Sequence, residues 1–239
     1  MYPVYYGFDW TYVVLVLPCV LLSLWASANV NSTFKKYSQQ RSRRNITGAE
    51  AAQRVLFANG VRNVRIERVS GNLTAHYDPR TNVIRLSDGV YGSTSTAAIG
   101  VACHEAGHAV QYAQEYAPIK LRAAIIPVTN FGSWLAMPLI LLGLVLSAFG
   151  SMSDLLIYLG IACFGLSLVF QIVTLPVEFN ASNRALAAIE DGQLLTDEEL
   201  KGARKTLRAA ALTYVAATAV ALAQLLRLLA LFGGRRRND

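Results

Sequence analysis

Two histidines one helical turn apart are the most informative residues in this 239-residue sequence. His104 and His108 enclose Glu105 in the pattern His-Glu-Ala-Gly-His. On a helix, residues four positions apart lie on the same face, so both imidazoles can bind one divalent metal ion. The chain has three histidines in all, so we interpret this spacing as a metal site and not as a chance pairing of surface residues.

The residue types in this pattern indicate hydrolytic chemistry. A zinc ion held by imidazoles lowers the pKa of a water molecule towards about 7 and polarises a carbonyl group. A carboxylate beside the ion can take a proton from that water and return it to a leaving amine. We therefore predict one zinc ion per chain, with His104 and His108 as ligands and Glu105 as the general base. Other divalent metals remain open, since two imidazoles and one carboxylate also suit manganese or iron.

A third ligand is required, and the order of elements along the chain narrows the acidic candidates. Glu115 follows His108 by two turns of the same helix, which is too far along the axis to complete one tetrahedron. Two apolar runs then predict a hairpin that crosses a membrane and returns, so that Glu178 re-emerges on the side of His104. Glu178 is the predicted third ligand, and the acidic residues from Glu190 to Glu199 are expected to form a solvated surface.

The composition indicates a membrane protein, because 54% hydrophobic and 15% charged residues are too apolar for one ordinary soluble domain. A wholly disordered or collagen-like chain is excluded for the same reason. A cleaved signal peptide is the alternative interpretation of the first apolar run, but no basic residue precedes that run. Four runs are candidate membrane spans: Trp10–Ala28, Ala123–Gly150, Leu155–Leu175 and Ala211–Phe232.

The distribution of basic residues predicts the orientation in the membrane. No Lys or Arg precedes Lys35, and none lies between Arg122 and Arg184. Since basic loops stay in the cytoplasm, we expect an external N-terminus and a catalytic site on the cytoplasmic side of a bacterial plasma membrane. A complete fourth crossing would place the basic residues 235–237 outside. Either the C-terminus is an exception to the rule that basic residues stay on the cytoplasmic side, or the last helix packs against the others without crossing the membrane.

The net charge is +7, and we expect the basic residues to contact anionic membrane lipid. Nucleic acid is not an expected partner, because no stacking aromatic residues alternate with the basic ones. The oligomeric state is left open.

The predicted organisation has five parts: a transmembrane helix (1–28), a cytoplasmic segment with the metal motif (29–122), a transmembrane hairpin (123–175), a third-ligand region (176–210) and a hydrophobic helix with a basic tail (211–239).

Local patterns predict the elements that position the motif. Thr47 and Glu50 have the spacing of a capping box that opens a helix, with Gly60 as its stop. Residues 78–82 separate two short apolar runs as the loop of a hairpin, which predicts a small antiparallel sheet. A helix from Ser95 to about Tyr116 then carries the histidines.

Several segments give the chain a resemblance to the YugP-type neutral zinc membrane metallopeptidases along nearly its entire length. It is more distantly similar to HtpX-like and CAAX prenyl proteases, in which a Glu on a second helix completes the zinc site. The resemblance implies a gluzincin-type α+β membrane protein, mainly helical, with three to four transmembrane helices and a small antiparallel sheet beside the active-site helix. The segments that carry it are Gly71–Thr74, His76–Pro79, Ile84–Ser87, His104–Ala109, Leu175–Leu186 and Ala210–Ala216.

The resemblance also draws attention to residues around the ligands. Where the distant relatives have an Asp that orients a histidine, this chain has Ser182, which can hydrogen-bond but brings no charge. Ala75 stands where close relatives carry an acidic residue. Arg184 and Tyr214 are candidates to stabilise a developing oxyanion, although Arg184 is as well suited to a phosphate or a lipid headgroup.

The strand before the active-site helix is a candidate site for substrate. Gluzincins commonly present an edge strand to which a peptide adds as a further strand. His76 and Tyr77 occupy this position, and a solvent-exposed hairpin is the equally open alternative. His76 is assigned no metal role.

The leading hypothesis is a membrane-embedded zinc endopeptidase whose substrates are membrane proteins or membrane-proximal segments. One alternative is a catalytically weak or inactive zinc-binding scaffold or chaperone of the same fold, which the departures at Ser182 and Ala75 would favour. Another is a zinc hydrolase that acts on lipid or on a small amide.

Overall fold

A computed structural model describes residues 9–71, 74–147 and 150–233. The protein is mainly helical with one small sheet, and four of the described helices are long and apolar enough to cross a membrane. The predicted α+β membrane architecture is therefore confirmed. Leu73 of the predicted hairpin and the basic tail 235–237 lie outside the described residues.

The first helix, α1, opens with a π-helical turn at Tyr12–Val16 and continues as Leu17–Ser38. The candidate spans are α1 together with this turn, and the helices α5, α6 and α7. The remaining helices are α2 (Gly48–Ala58), α3 (Asp88–Tyr91), α4 (Thr96–Ala113), α5 (Ala117–Val145), α6 (Ser151–Asp191) and α7 (Asp197–Phe232), and the strands are β1 (Arg65–Val69), β2 (His76–Asp78) and β3 (Val83–Ser87).

Side-chain caps begin the two helices on which the motif depends. At α2 the Thr47 hydroxyl accepts from the Glu50 amide, while the Glu50 carboxylate accepts from the Thr47 amide, so the capping box is confirmed. At α4 the Ser95 hydroxyl accepts a hydrogen bond from the Ala98 amide at 3.2 Å. Each bond satisfies a backbone donor that has no partner inside its helix.

The three strands form a mixed sheet in the order β1-β3-β2. β2 and β3 pair antiparallel as the predicted hairpin, whereas β1 runs parallel to β3. The expectation of a wholly antiparallel sheet is therefore wrong. The chain leaves β1 and passes to the far side of β3 before it turns back, which makes β2 an edge strand beside α4.

The described residues divide into two compact units. One unit comprises residues 26–123 and 173–214, and its apolar core includes Ile84, Leu86, Ile99 and Ile189. In this unit α4 is buried along almost its whole length. The helix that carries the metal motif is therefore the central element of this core.

The other unit comprises residues 1–25, 124–172 and 215–239 as far as they are described. Within it, the Arg227 guanidinium donates to the Asp9 carboxylate at 2.9 Å. A hydrogen bond from the Thr11 hydroxyl, together with Arg227, lowers the pKa of Asp9 to about 2, so this carboxylate is ionised at neutral pH. Tyr158 in the first turns of α6 donates to the Phe232 carbonyl. The beginnings of α1 and α6 therefore meet the end of α7.

The glycine of the motif permits a close helix contact inside residues 26–123 and 173–214. A Cβ atom at Gly107 would lie 2.8 Å from the Ala181 carbonyl oxygen of α6. That oxygen belongs to the backbone, so it cannot move aside as a flexible side chain would. The contact brings α6 against α4 next to His108.

We predict that Gly107→Ala destabilises the protein by up to about 2 kcal/mol. Overpacking that forces the two backbones apart costs about 1–3 kcal/mol, and the higher helix propensity of alanine offsets about 1 kcal/mol of this cost. The control is Gly165→Ala on α6, where an added Cβ meets nothing within 4 Å. Thermal unfolding in detergent measures both, and equal midpoints for the two variants would contradict the close contact.

Candidate metal centre

Three side chains from two helices place their donor atoms around one point. His104 and His108 on α4 approach with their Nε2 atoms 3.1 Å apart. Glu178 on α6 directs its Oε2 atom to 3.3 Å from the Nε2 of His104 and 3.6 Å from that of His108. The structure thus brings together the three residues predicted as ligands, and they form a group able to hold a metal ion.

The spacing of the three donor atoms fits zinc. Donors at roughly 2.0–2.2 Å from zinc in a tetrahedron stand about 3.3 Å from one another, close to the observed separations. Glu178 is only 2% exposed, and its Oε2 atom makes no hydrogen bond within the part of the chain that the structure describes. A buried carboxylate oxygen without a donor is unusual in proteins, and a cation bound by these residues would compensate it.

Hydrogen bonds fix the orientation of both imidazole rings. The Nδ1 atom of His108 lies 3.0 Å from the Oε1 atom of Gln111, and the Nδ1 atom of His104 lies 3.2 Å from the Ser182 hydroxyl. With Nδ1 protonated and donating, each Nε2 presents its lone pair to the metal. The Gln111 amide also donates to the Val177 carbonyl at 2.9 Å, which joins α4 to α6.

Two carboxylates favour a cation at the donor atoms, and Arg122 orients one of them. Burial alone would lower the pKa of His108, but the nearby Glu178 carboxylate and the charge of Glu105 raise it overall. Arg122, at the start of α5, donates to the Oε1 atom of Glu178 at 2.8 Å. The guanidinium thus engages one carboxylate oxygen and leaves Oε2 facing the imidazoles.

His104 and Glu178 line a cavity of about 250 Å³ that is also lined by Glu105. Glu105 is 8% exposed, so it is held in a largely enclosed space beside the ligands. Tyr214 and Ala75 form part of the wall, and Tyr214 interacts electrostatically with Glu178 and Glu105. The Glu105 carboxylate, two of the three donor residues and a phenol therefore share one cavity.

The comparisons with known proteins agree with this chemistry. Residues 12–233 match the family described as "Putative neutral zinc metallopeptidase". The chain belongs to this family. It is 46% identical over 228 residues to the "Putative membrane protease YugP" of Bacillus subtilis (strain 168), covering 95% of this chain and 99% of that protein. No solved structure matches the chain.

Arg184 lies outside the cavity that is lined by Glu105 and forms hydrogen bonds elsewhere. Its guanidinium donates to the Asn180 side chain at 2.7 Å, also contacts Gln114, and lies 5.9 Å from the centre of the Tyr116 ring. It is not among the described residues that line the cavity containing Glu105. The structure thus gives Arg184 a role in joining α6 to the end of α4.

The edge strand β2 lies beside the metal centre, but its two predicted side chains do not face the cavity. His76 is exposed, with its Nδ1 atom 2.8 Å from the Thr74 carbonyl oxygen. The Tyr77 hydroxyl donates to Asn82, and its ring packs against Tyr112. Ala75, immediately before the strand, does line the cavity.

Acidic residues outside the donor set have other partners. Glu115 forms an exposed ion pair with Lys120. Glu199, expected on a solvated surface, is only 5% exposed and accepts from the backbone amides of Arg43 and Thr196. That expectation is wrong for Glu199, because the loop after α1 closes over the first turn of α7.

Two residues of the site were not identified from the sequence. Gln111 could have been predicted from its spacing, since it follows His108 by three positions and so lies near it on the same helix face. Arg122 has no informative spacing relative to Glu178, which is 56 residues further along the chain. Only the packing of α5 against α6 brings these two side chains together.

We predict that the wild-type protein, purified in detergent, contains one zinc ion per chain by elemental analysis. His104→Ala, His108→Ala and Glu178→Ala each lose the ion, whereas the control Glu115→Ala retains it. Arg122→Met weakens zinc binding by about 10–100-fold in chelator competition, because an outer partner of a ligand is removed. Zinc retained in Glu178→Ala would assign the third ligand elsewhere, and unchanged affinity in Arg122→Met would contradict the positioning role.

Proposed function

We propose that this protein is a membrane-embedded zinc endopeptidase that cleaves peptide bonds of membrane or membrane-proximal proteins. One observation carries the proposal: Glu105 lines a cavity with His104 and Glu178, and the donor atoms of these two residues and His108 lie at the mutual distances of a tetrahedral zinc site. Membership in a family of zinc metallopeptidases supports the same class of reaction.

Each residue of the centre has a specific role in this proposal. His104, His108 and Glu178 hold the ion, which when bound supplies Lewis-acid polarisation of a carbonyl group and a more acidic water molecule. The Glu105 carboxylate accepts a proton from the attacking water and delivers it to the leaving nitrogen. Because Glu105 is largely buried, it meets a water molecule in the cavity in preference to bulk solvent.

Other groups position the reactants. Ser182 and Gln111 hold the imidazole rings, and Arg122 holds the Glu178 carboxylate. The Tyr214 phenol, on the cavity wall, is a donor that can stabilise negative charge on the carbonyl oxygen. A peptide that adds to the free edge of β2 would pass Ala75 on its way into the cavity.

We propose that the site faces the cytoplasm and that α7 crosses the membrane. The positive-inside pattern supports an external N-terminus, and the Asp9–Arg227 pair supports the same side for the end of α7. A charge within an apolar helix is costly unless it is paired, and Asp9 pairs Arg227 beside the first span. The basic residues 235–237 would then be an exception to the charge rule.

Labelling of single cysteines in intact cells tests this topology. Replacing Cys19, Cys103 and Cys163 by Ala gives the background. A cysteine introduced at Gly233 is expected to react with a membrane-impermeant maleimide, because it follows the end of α7 on the outside. A cysteine at exposed Gln193, in the turn before α7, is expected to react only after lysis. Equal protection at both positions would contradict a fourth crossing.

Glu105→Gln tests the reaction. The amide keeps the size of the side chain but cannot accept the proton, so peptide cleavage should fall by about 100-fold to 10,000-fold while zinc remains bound. Glu115→Gln, in the exposed turn after α4, serves as control. If Glu105→Gln retains the cellular function with zinc bound, the protein is a scaffold. Cleavage of lipids or small amides but not of peptides would instead indicate a different hydrolase.

A further inference from the structure

A second concavity continues from the catalytic cavity. It lies between the last four turns of α6 and the middle of α7, has a volume of about 600 Å³, and is called the α6–α7 groove below. Three residues line both spaces: Ser182, Leu207 and Ala211. The Ser182 hydroxyl is 3.2 Å from the Nδ1 atom of His104, so the inner end of the groove begins directly behind a metal ligand.

The groove has the length of a short peptide segment. Its lining extends from Phe179 to Glu190 on α6 and from Arg204 to Leu212 on α7. From Ser182, which also lines the catalytic cavity, the helix rises by about 12 Å over the eight residues to Glu190. An extended chain advances by about 3.3 Å per residue. Three to four residues of an extended peptide therefore fit between the catalytic cavity and the far end.

The two ends of the groove differ in chemistry. Phe179 and Leu212 lie at the catalytic end, where they are 44% and 38% exposed. Because a short turn joins α6 to α7, the two helices run antiparallel and Glu190 and Arg204 lie at the opposite end. The groove thus changes from apolar to polar with distance from the metal centre.

Two arginines make the far end basic. Arg204 and Arg208 are both exposed, and neither has an ion pair or hydrogen bond with any residue that the structure describes. Glu190 is the acidic residue of the lining and leaves an excess of one positive charge. An acidic side chain or another anion is the complementary ligand for this pair.

We propose that the α6–α7 groove binds the substrate polypeptide on one side of the scissile bond and selects apolar residues followed by an acidic one. The apolar side chains lie near Phe179 and Leu212, and the acidic side chain, three or four residues from the bond, pairs with Arg204 and Arg208. This rests on the proposed peptidase function. Continuity with the catalytic cavity favours a peptide over a phospholipid, because a lipid requires no contact with a metal ligand.

Binding to the zinc-loaded Glu105→Gln protein in detergent tests the proposal without cleavage. The probes are two fluorescein-labelled decapeptides with the same Leu-Phe-Ala core, one followed by Asp-Glu and the other by Lys-Lys. Fluorescence anisotropy should show about tenfold tighter binding of the acidic probe at low salt, as expected for two exposed ion pairs. Raising the salt concentration should reduce the difference.

Charge variants then locate the contact. Arg204→Glu with Arg208→Glu should reverse the order of the two probes, and Glu190→Gln should tighten binding of the acidic one. The matched control is Lys201→Glu with Lys205→Glu, which makes the same charge change on α7 outside the lining of the groove. Correct folding of each variant is verified by its zinc content.

Three results would overturn the proposal. The first is an unchanged probe preference in the arginine variant, and the second is equal binding of the two probes by the parent protein. The third is loss of binding to phosphatidylglycerol vesicles in the arginine variant while both peptides bind as before, which would identify a lipid site. Cleavage of the two probes by the wild-type protein tests the peptidase function separately. If the wild type cleaves both probes equally, only the proposed role of the groove is refuted. If it cleaves neither probe while the arginines still select the acidic one in the binding assay, only the peptidase function is refuted.

Discussion

The buried carboxylate of Glu178 is the group on which the rest of the site depends. Removing an ionised carboxylate from water costs several kcal/mol unless charged or hydrogen-bonded partners replace the solvent. Glu178 is 2% exposed, with Arg122 at one oxygen and two imidazoles near the other. These partners come from α4 and α5, so burial of one side chain on α6 requires all three helices to meet at this point.

The surroundings of α4 make that meeting point rigid. The helix is enclosed by the core, Gly107 admits the backbone of α6 to close contact, and Gln111 bridges the two helices through buried hydrogen bonds. Ligands held by packed neighbours need little reorganisation when they bind a metal. The protein therefore has its donor geometry set by helix packing.

The charges next to the predicted metal ligands differ from those of a site in which an acidic residue hydrogen-bonds to a ligand histidine. Ser182 contributes direction but no charge to His104, while the positive charge of Arg122 lies against the ligand carboxylate. The guanidinium fixes the orientation of this carboxylate, so that its other oxygen faces the two imidazoles.

The sequence by itself determined the features that depend on local spacing. Histidines four residues apart, capping residues, apolar runs of spanning length and the hairpin between β2 and β3 are all set by neighbours in the chain. The order of the apolar runs was also sufficient to select Glu178 for the third position, since an even number of crossings returns the chain to the same side.

Only the tertiary structure decided which distant side chains meet. Arg122 reaches Glu178 across 56 residues, Arg43 covers Glu199 across 156, and Asp9 meets Arg227 across 218. The parallel pairing of β1 with β3 likewise depends on how the chain passes around the hairpin. Periodicity shows which face of an element is apolar, but the partner of each polar side chain depends on the packing angle and register of whole helices, which no local pattern encodes.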